Sequence, residues 1–249
     1  MEIQHPGKIH IGTSGWHYKN WMGSFYPDGI KSPAFLDYYV KFFRTVEINN
    51  SFYRLPSRGT FALWKRTVPH DFVYAVKANQ FITHMKQLRE PKQHFNNFIG
   101  HADALEEKLG PILFQLPPDW NFNYERLVNF VNILPSSFRY AIEFRNYSWY
   151  NQQVYDLLHQ KNIAFCIYEI DDHMSPMPVT AEYLYVRLHG PAGECAGSYN
   201  ESALARWVSQ CKTWTAEGRD VYFFFDNNQQ GYAACNAQRM LELAALTTG

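Results

Sequence analysis

Arg139-Tyr140-Ala141-Ile142-Glu143-Phe144-Arg145-Asn146 is a short apolar run with a charged end. In a strand, successive side chains take opposite faces, so Ala141, Glu143 and Arg145 share one face and Tyr140, Ile142 and Phe144 the other. Both faces carry apolar groups and both need cover. That requirement fits a parallel sheet clothed by helices. The same signature recurs in both directions, at residues 8–13, 45–49, 72–77, 112–116, 163–168, 183–188 and 221–226. Segments of helical period lie between. Ser32-Pro33 pairs an N-cap with a proline at the first helical position, ahead of a stripe of Phe35, Leu36, Tyr39, Val40 and Phe43. A second stripe is Phe95, Phe98, Ile99, Ala102, Leu105 and Leu109. Asn123 caps a third helix, carrying Leu127, Phe130, Val131 and Leu134. Ser148 precedes a fourth, Asn200 a fifth running to about Ala216, and Met240 to Ala244 belong to the last. Strands alternating with helices predict parallel pairing, and eight of them predict closure. The expected fold is therefore α/β, a (β/α)8 TIM barrel, with residues 1–249 as one domain. An open doubly wound sheet is the rival. Gly12-Thr13-Ser14-Gly15-Trp16, after the first run, carries neither phosphate-binding glycine fingerprint of that class.

The chain's 249 residues match the roughly 250 a barrel of this kind uses. Lys plus Arg number 23 and Asp plus Glu number 23, so no global field draws nucleic acid or anionic lipid. Neither nucleic acid nor membrane is an expected partner, and no apolar run approaches the ~18 residues of a membrane span. Cys166, Cys195, Cys211 and Cys235 form no C-x-x-C pair and read as reduced thiols. With no apolar stretch after a basic start at the N-terminus, a cytoplasmic location is the expectation. Aromatic residues make up 17% and should mostly be packing.

Barrels work at the C-terminal ends of their strands. Charges facing the helix layer are costly. One parity therefore turns Glu47, Lys77, Gln115, Glu143, Arg145, Arg187 and His189 inward together, with Asn49 beside Glu47. This convergence is the main functional signal. Each residue alone is equally at home in a structural ion pair.

Motifs spread along the chain support the same architecture. Gly12–Trp16 (GTSGW), Phe25–Pro27 (FYP), Glu47–Tyr53 (EINNSFY), Gln115–Pro118 (QLPP), Glu143–Trp149 (EFRNYSW) and Tyr185–Gly190 (YVRLHG) occur in order. Together they resemble the YecE-like family, also called the family of domain of unknown function 72. The resemblance implies a TIM barrel and a pocket at this face, and hands over no reaction.

The expected function is an enzyme doing acid–base chemistry on a small anionic metabolite, phosphorylated or carboxylated and sugar-like. Glu47, Lys77, Glu143 and His189 are the catalytic candidates. A carboxylate beside Lys77 or Arg145 stays ionised and can act as base, and histidine titrates near neutrality. Lys77 as a Schiff-base nucleophile is a lesser option. Trp16, Asn49, Tyr53, Gln115, Arg145, Arg187 and Asn227 are the expected substrate-binding residues, the arginines offering planar forks to an oxyanion. Of the aromatics, at least half should simply plug the barrel mouth. The glycine-rich loop at residues 189–197 reads equally as a phosphate cradle or as an ordinary loop. No cofactor is expected. Alternatives are a non-catalytic binding barrel and a metal-dependent isomerase- or nuclease-like barrel with Glu47, Glu143, His189 and Asp226 as ligands. Nucleic-acid processing on the aromatics is a third, disfavoured by the neutral charge. His84 and His101 belong to no cluster in the sequence.

Overall fold

A computed structural model describes residues 6–246. In chain order the elements are β1 (Ile9–Thr13), α1 (Phe35–Tyr39), β2 (Thr45–Ile48), α2 (Asn50–Tyr53), α3 (Arg58–Thr67), β3 (Val73–Lys77), α4 (Pro91–Ala102), β4 (Leu109–Leu116), α5 (Tyr124–Val131), β5 (Tyr140–Phe144), α6 (Gln152–Gln160), β6 (Ala164–Ile170), β7 (His173–Met174), β8 (Tyr183–Leu188), α7 (Glu201–Ala216), β9 (Asp220–Phe225) and α8 (Tyr232–Leu246). The hydrogen-bonded strand order is β1-β9-β8-β6-β5-β4-β3-β2, and β7 pairs antiparallel with β6. A parallel bridge from Ser14 to Glu47 links the two ends of that order. This is the (β/α)8 TIM-barrel class.

By contact density the chain divides into two units, with β2 and β6 each split between them. The first comprises the chain up to Glu47, Ile167–Ser175, and Glu182 onward. In it β9 lies between β1 and β8, pairing Thr13 with Phe225 and Arg187 with Phe224. Its core includes Val186, Phe223 and Phe225, covered by Trp207 of α7 and Met240 of α8. The second comprises Ile48–Cys166 and Pro176–Ala181. There β4 pairs with β3 and β5, aligning Lys77 with Leu113 and Gln115 with Glu143. Its core is built on Leu113, Phe114, Ile142 and Phe130.

All eight expected runs are strands, and the fourth starts earlier, at Leu109. Leu109 therefore leaves the helical stripe, because a 3-10 segment, Asp103–Lys108, ends that helix first. Asn123 and Asn200 cap as the sequence implies, accepting from the amides of Arg126 and Ala203. Ser148 does not cap. It sits in a 3-10 turn, and Asn151 caps α6 by accepting from Val154. Ser32-Pro33 opens a 3-10 turn that runs into the short α1. The sequence reading passed over α3, capped by Ser57. Between β6 and β8 there is a β7 hairpin and loop in place of a helix. Among the described residues, no helix is long and apolar enough to cross a membrane.

Candidate functional site

The first unit carries a buried polar network at the C-terminal ends of its strands. Alternation along β8 puts Tyr185, Arg187 and His189 on one face. Arg187 is fully buried and donates from Nη2 to Glu47 Oε1 at 2.8 Å and to Asp226 Oδ2 at 2.9 Å. Ser14, just past β1, donates to Glu47 Oε1 at 2.7 Å, and the Tyr185 hydroxyl donates to Oε2 at 2.6 Å. The Glu47 carboxylate thus accepts from a guanidinium, a serine and a phenol. His189 Nδ1 lies 3.1 Å from Asp226 Oδ2, and its Nε2 lies 3.2 Å from Arg187 Nη1. A guanidinium nitrogen can only donate. Nε2 therefore accepts, and the ring proton sits on Nδ1, donated to Asp226.

Asn228 completes the outer side of this network, donating from Nδ2 to Asp226 Oδ1 at 3.0 Å and to the Tyr18 hydroxyl at 3.2 Å. Burial, followed by the charge of Asp226, holds the Tyr18 phenol far above the ordinary tyrosine range. Tyr18 therefore stays a donor, bonded to the Ser14 carbonyl at 2.7 Å. Exposure separates the carboxylates: Glu47 is 0% exposed and Asp226 is 6%. Glu47 anchors Arg187 from within, while Asp226 binds Arg187 and His189 through Oδ2 and Asn228 through Oδ1.

The glycine-rich loop after β8 folds on itself. Gly190 takes φ 129°, and a Cβ there would stand 2.1 Å from the Ala196 carbonyl. The Gly190 amide donates to Tyr199, Ala192 to Ala196, Ala196 to Gly193, and Gly197 to Gln229. Those four amides are engaged internally, which favours the plain-loop reading over a phosphate cradle. Asn227 is buried behind the loop, donating to the Gly197 carbonyl and to Asn236.

The second unit has buried polar groups of its own. Glu143 is buried and pairs with Arg145 through Nε, while Cys166 Sγ lies 3.7 Å from its other oxygen. Lys77, at the end of β3, is 7% exposed, with Nζ 4.2 Å from the centroid of the Phe52 ring. His84 meets the same ring edge-on at 4.9 Å. The sequence reading left His84 outside any cluster. The structure corrects this, because the turn after β3 brings it beside Phe52. His101 does stay on the helix surface, bonded to the Asn97 carbonyl.

Glu47, Arg187 and His189 are thus brought together in the first unit; in the second, Glu143 pairs with Arg145, and Lys77 meets His84 across the Phe52 ring. Gln115 is half-buried opposite Glu143, and Asn49 is half-buried at the start of α2. Trp16 is 6% exposed and packs as core. Tyr53 is 73% exposed, its ring 5.1 Å edge-on from that of Phe52. Ser14 and Tyr185 are absent from the expected site residues, although the parity that selects Arg187 also selects Tyr185, and Asp226 is expected only as a ligand in the metal alternative. Among the described residues, no group of three or more His, Cys, Asp or Glu is placed to hold a metal ion. The Arg187 guanidinium stands between Glu47 and Asp226, where a metal shared by them would sit.

Comparison with known proteins agrees with this architecture. The family described as "Protein of unknown function DUF72" matches residues 10–249. The UPF0759 protein YunF of Bacillus subtilis (strain 168) is 27% identical, over 94% of this chain and 94% of its own. A DUF72 family protein (TM1631) of Thermotoga maritima superposes with TM-score 0.85 at 29% identity, covering 96% of this chain and 99% of that one. A second, EF0366 of Enterococcus faecalis, gives TM-score 0.81 at 22% identity over 97% of each chain, which speaks for the fold alone.

Proposed function

From the premise that this chain belongs to the DUF72 family, we propose that it is an enzyme moving protons on a small polar metabolite that bears an anionic group. The observation that carries this reading is the Arg187–Glu47–Asp226–His189 network. Removing ions of this kind from water costs several kcal/mol each, recovered only by close pairing. Hydrophobic residues would serve stability as well. The network stands at strand C-termini, where essentially every characterised TIM-barrel enzyme keeps its chemistry. In this reading Asp226 and His189 exchange the proton with substrate. Arg187 fixes both, and Glu47, Ser14 and Tyr185 position Arg187.

A non-catalytic binding barrel is the second reading, favoured by the complete burial of Glu47 and Arg187. A thermal-shift screen of sugar phosphates, carboxylates, nucleotides and divalent metals separates the two. A ligand that binds only the native state raises Tm in proportion to affinity and concentration. Turnover of the ligand found should fall about 10²–10⁴-fold in Asp226→Asn, the range of a lost acid–base group. A ligand recovered unaltered after prolonged incubation rejects the enzyme reading. Turnover unchanged in Asp226→Asn rejects the role given to that carboxylate.

A further inference from the structure

In the second unit one aromatic ring serves two nitrogen-bearing side chains. Phe52 is 8% exposed; its ring carries the Lys77 ammonium 4.2 Å from its centroid and the His84 imidazole 4.9 Å away at 83°. His84 lies in a π-helical turn, Phe81–Met85, a rare form that recurs at functional sites. Immediately beyond it, Gln87, Leu88 and Glu90 hold φ of 46°, 59° and 46°. Left-handed backbone at three non-glycine residues in four is costly, and such strain gathers at ligand clamps. Buried Thr83 lies 2.9 Å from His84 Nδ1 through its hydroxyl. That contact fixes the ring's rotation and leaves Nε2 as the nitrogen for a ligand.

We propose that Lys77 and His84, backed by Phe52, form a subsite within the second unit for an oxyanion, a phosphoryl or carboxylate group. The proposal takes from the functional reading above only that the ligand is an anionic metabolite, and rests on it for that. An ammonium brings three donors and a full charge, and a neutral imidazole adds a directed hydrogen bond. The charged groups facing His84 are Lys77 on β3, Asp119 after β4, and Glu143 and Arg145 at the end of β5. Burial first, and Lys77 second, hold His84 below the ordinary histidine range. A bound oxyanion reverses the second effect, because an opposite charge at close range favours the protonated ring.

NMR of the full chain labelled at histidine tests this, with inorganic phosphate and acetate titrated separately and His84→Gln identifying the resonance. The expected result is a saturable shift of the His84 signal, with its titration midpoint rising by ~1 pH unit under saturating anion. Lys77→Met should weaken the response at least tenfold, while Lys77→Arg, which keeps the charge, retains most of it. A response to phosphate alone assigns a phosphoryl group, and a response to acetate alone a carboxylate. If neither anion moves the His84 signal, or if Lys77→Met leaves the response intact in a chain folded by circular dichroism, the subsite is overturned. Should Lys77→Met not fold, Lys77→Arg and the wild-type titration still decide. The readout is binding of a bare anion, so its failure leaves the proton chemistry to the Asp226 test.

Discussion

At the scale of the residue, Arg187 has the most consequential position. Its Nη2 alone bridges two carboxylates, at 2.8 and 2.9 Å, in a fully buried setting. Arg187→Met should destabilise by ~3–5 kcal/mol, the cost of stranding buried charge. Urea unfolding measures it, and adding Glu47→Gln and Asp226→Asn should restore much of the loss. A single variant within about 1 kcal/mol of wild type would show the carboxylates to be compensated elsewhere. Glu169 offers a pH test in the same unit. Burial, only partly offset by its bond from Trp207, raises its carboxyl above the ordinary range. A raised folded value means stability that is full below the unfolded value of about 4.3 and lost as pH climbs through the folded one. Glu169→Gln should therefore raise Tm at neutral pH and match wild type below about pH 4. A gain that persists unchanged in acid would assign the effect to packing. Strand parity made Glu47, Arg187 and His189 legible in the sequence. His84 was not legible, because a π-helical turn has no period to read and its partner Phe52 lies far off in sequence.

At the scale of the element, caps and close approaches decide what the sequence reveals. Asn123 and Asn200 are readable because an N-cap side chain acts on an amide three residues away. Asn200→Ala should cost ~1 kcal/mol, measured by denaturant titration, and Asn200→Ser should recover most of it. The β7 hairpin between β6 and β8 is not readable, because a two-residue strand leaves no period to detect. Segment 171–182 is held by β7 and by side chains, with Ser175 and Thr180 hydroxyls accepting from the amides of Tyr168 and Phe165. Gly12, inside β1, shows a constraint no local pattern displays. A Cβ there would stand 2.4 Å from the Thr45 carbonyl of β2. Gly12→Ala should lower stability by about 1–3 kcal/mol, the cost of overpacking. A neutral result would mean that β1 and β2 part easily, loosening the Ser14–Glu47 bridge that organises the network.

At the scale of the whole molecule, the order of segments constrains how the fold comes apart. The first unit is assembled from three stretches of chain and the second from two, and two of the four divisions fall inside strands, at Glu47/Ile48 in β2 and Cys166/Ile167 in β6. Order at one residue of a strand favours order at the next, and neither unit is a single continuous stretch of sequence. The expected outcome is that both units lose order together. Thiols report this directly. Cys166, in the second unit, and Cys211, in the first, are both 0% exposed, and burial pushes the Cys211 thiol well above its ordinary range. The thiolate is the reactive form, so both should resist alkylation in the native chain, while Cys195 and Cys235, which reach solvent, label before them. Across a urea series read by mass spectrometry, Cys166 and Cys211 should gain reactivity at one shared midpoint, coincident with the loss of circular dichroism. Two midpoints separated beyond the fitting error would mean that the divided strands fray at their junctions and that the units open in sequence.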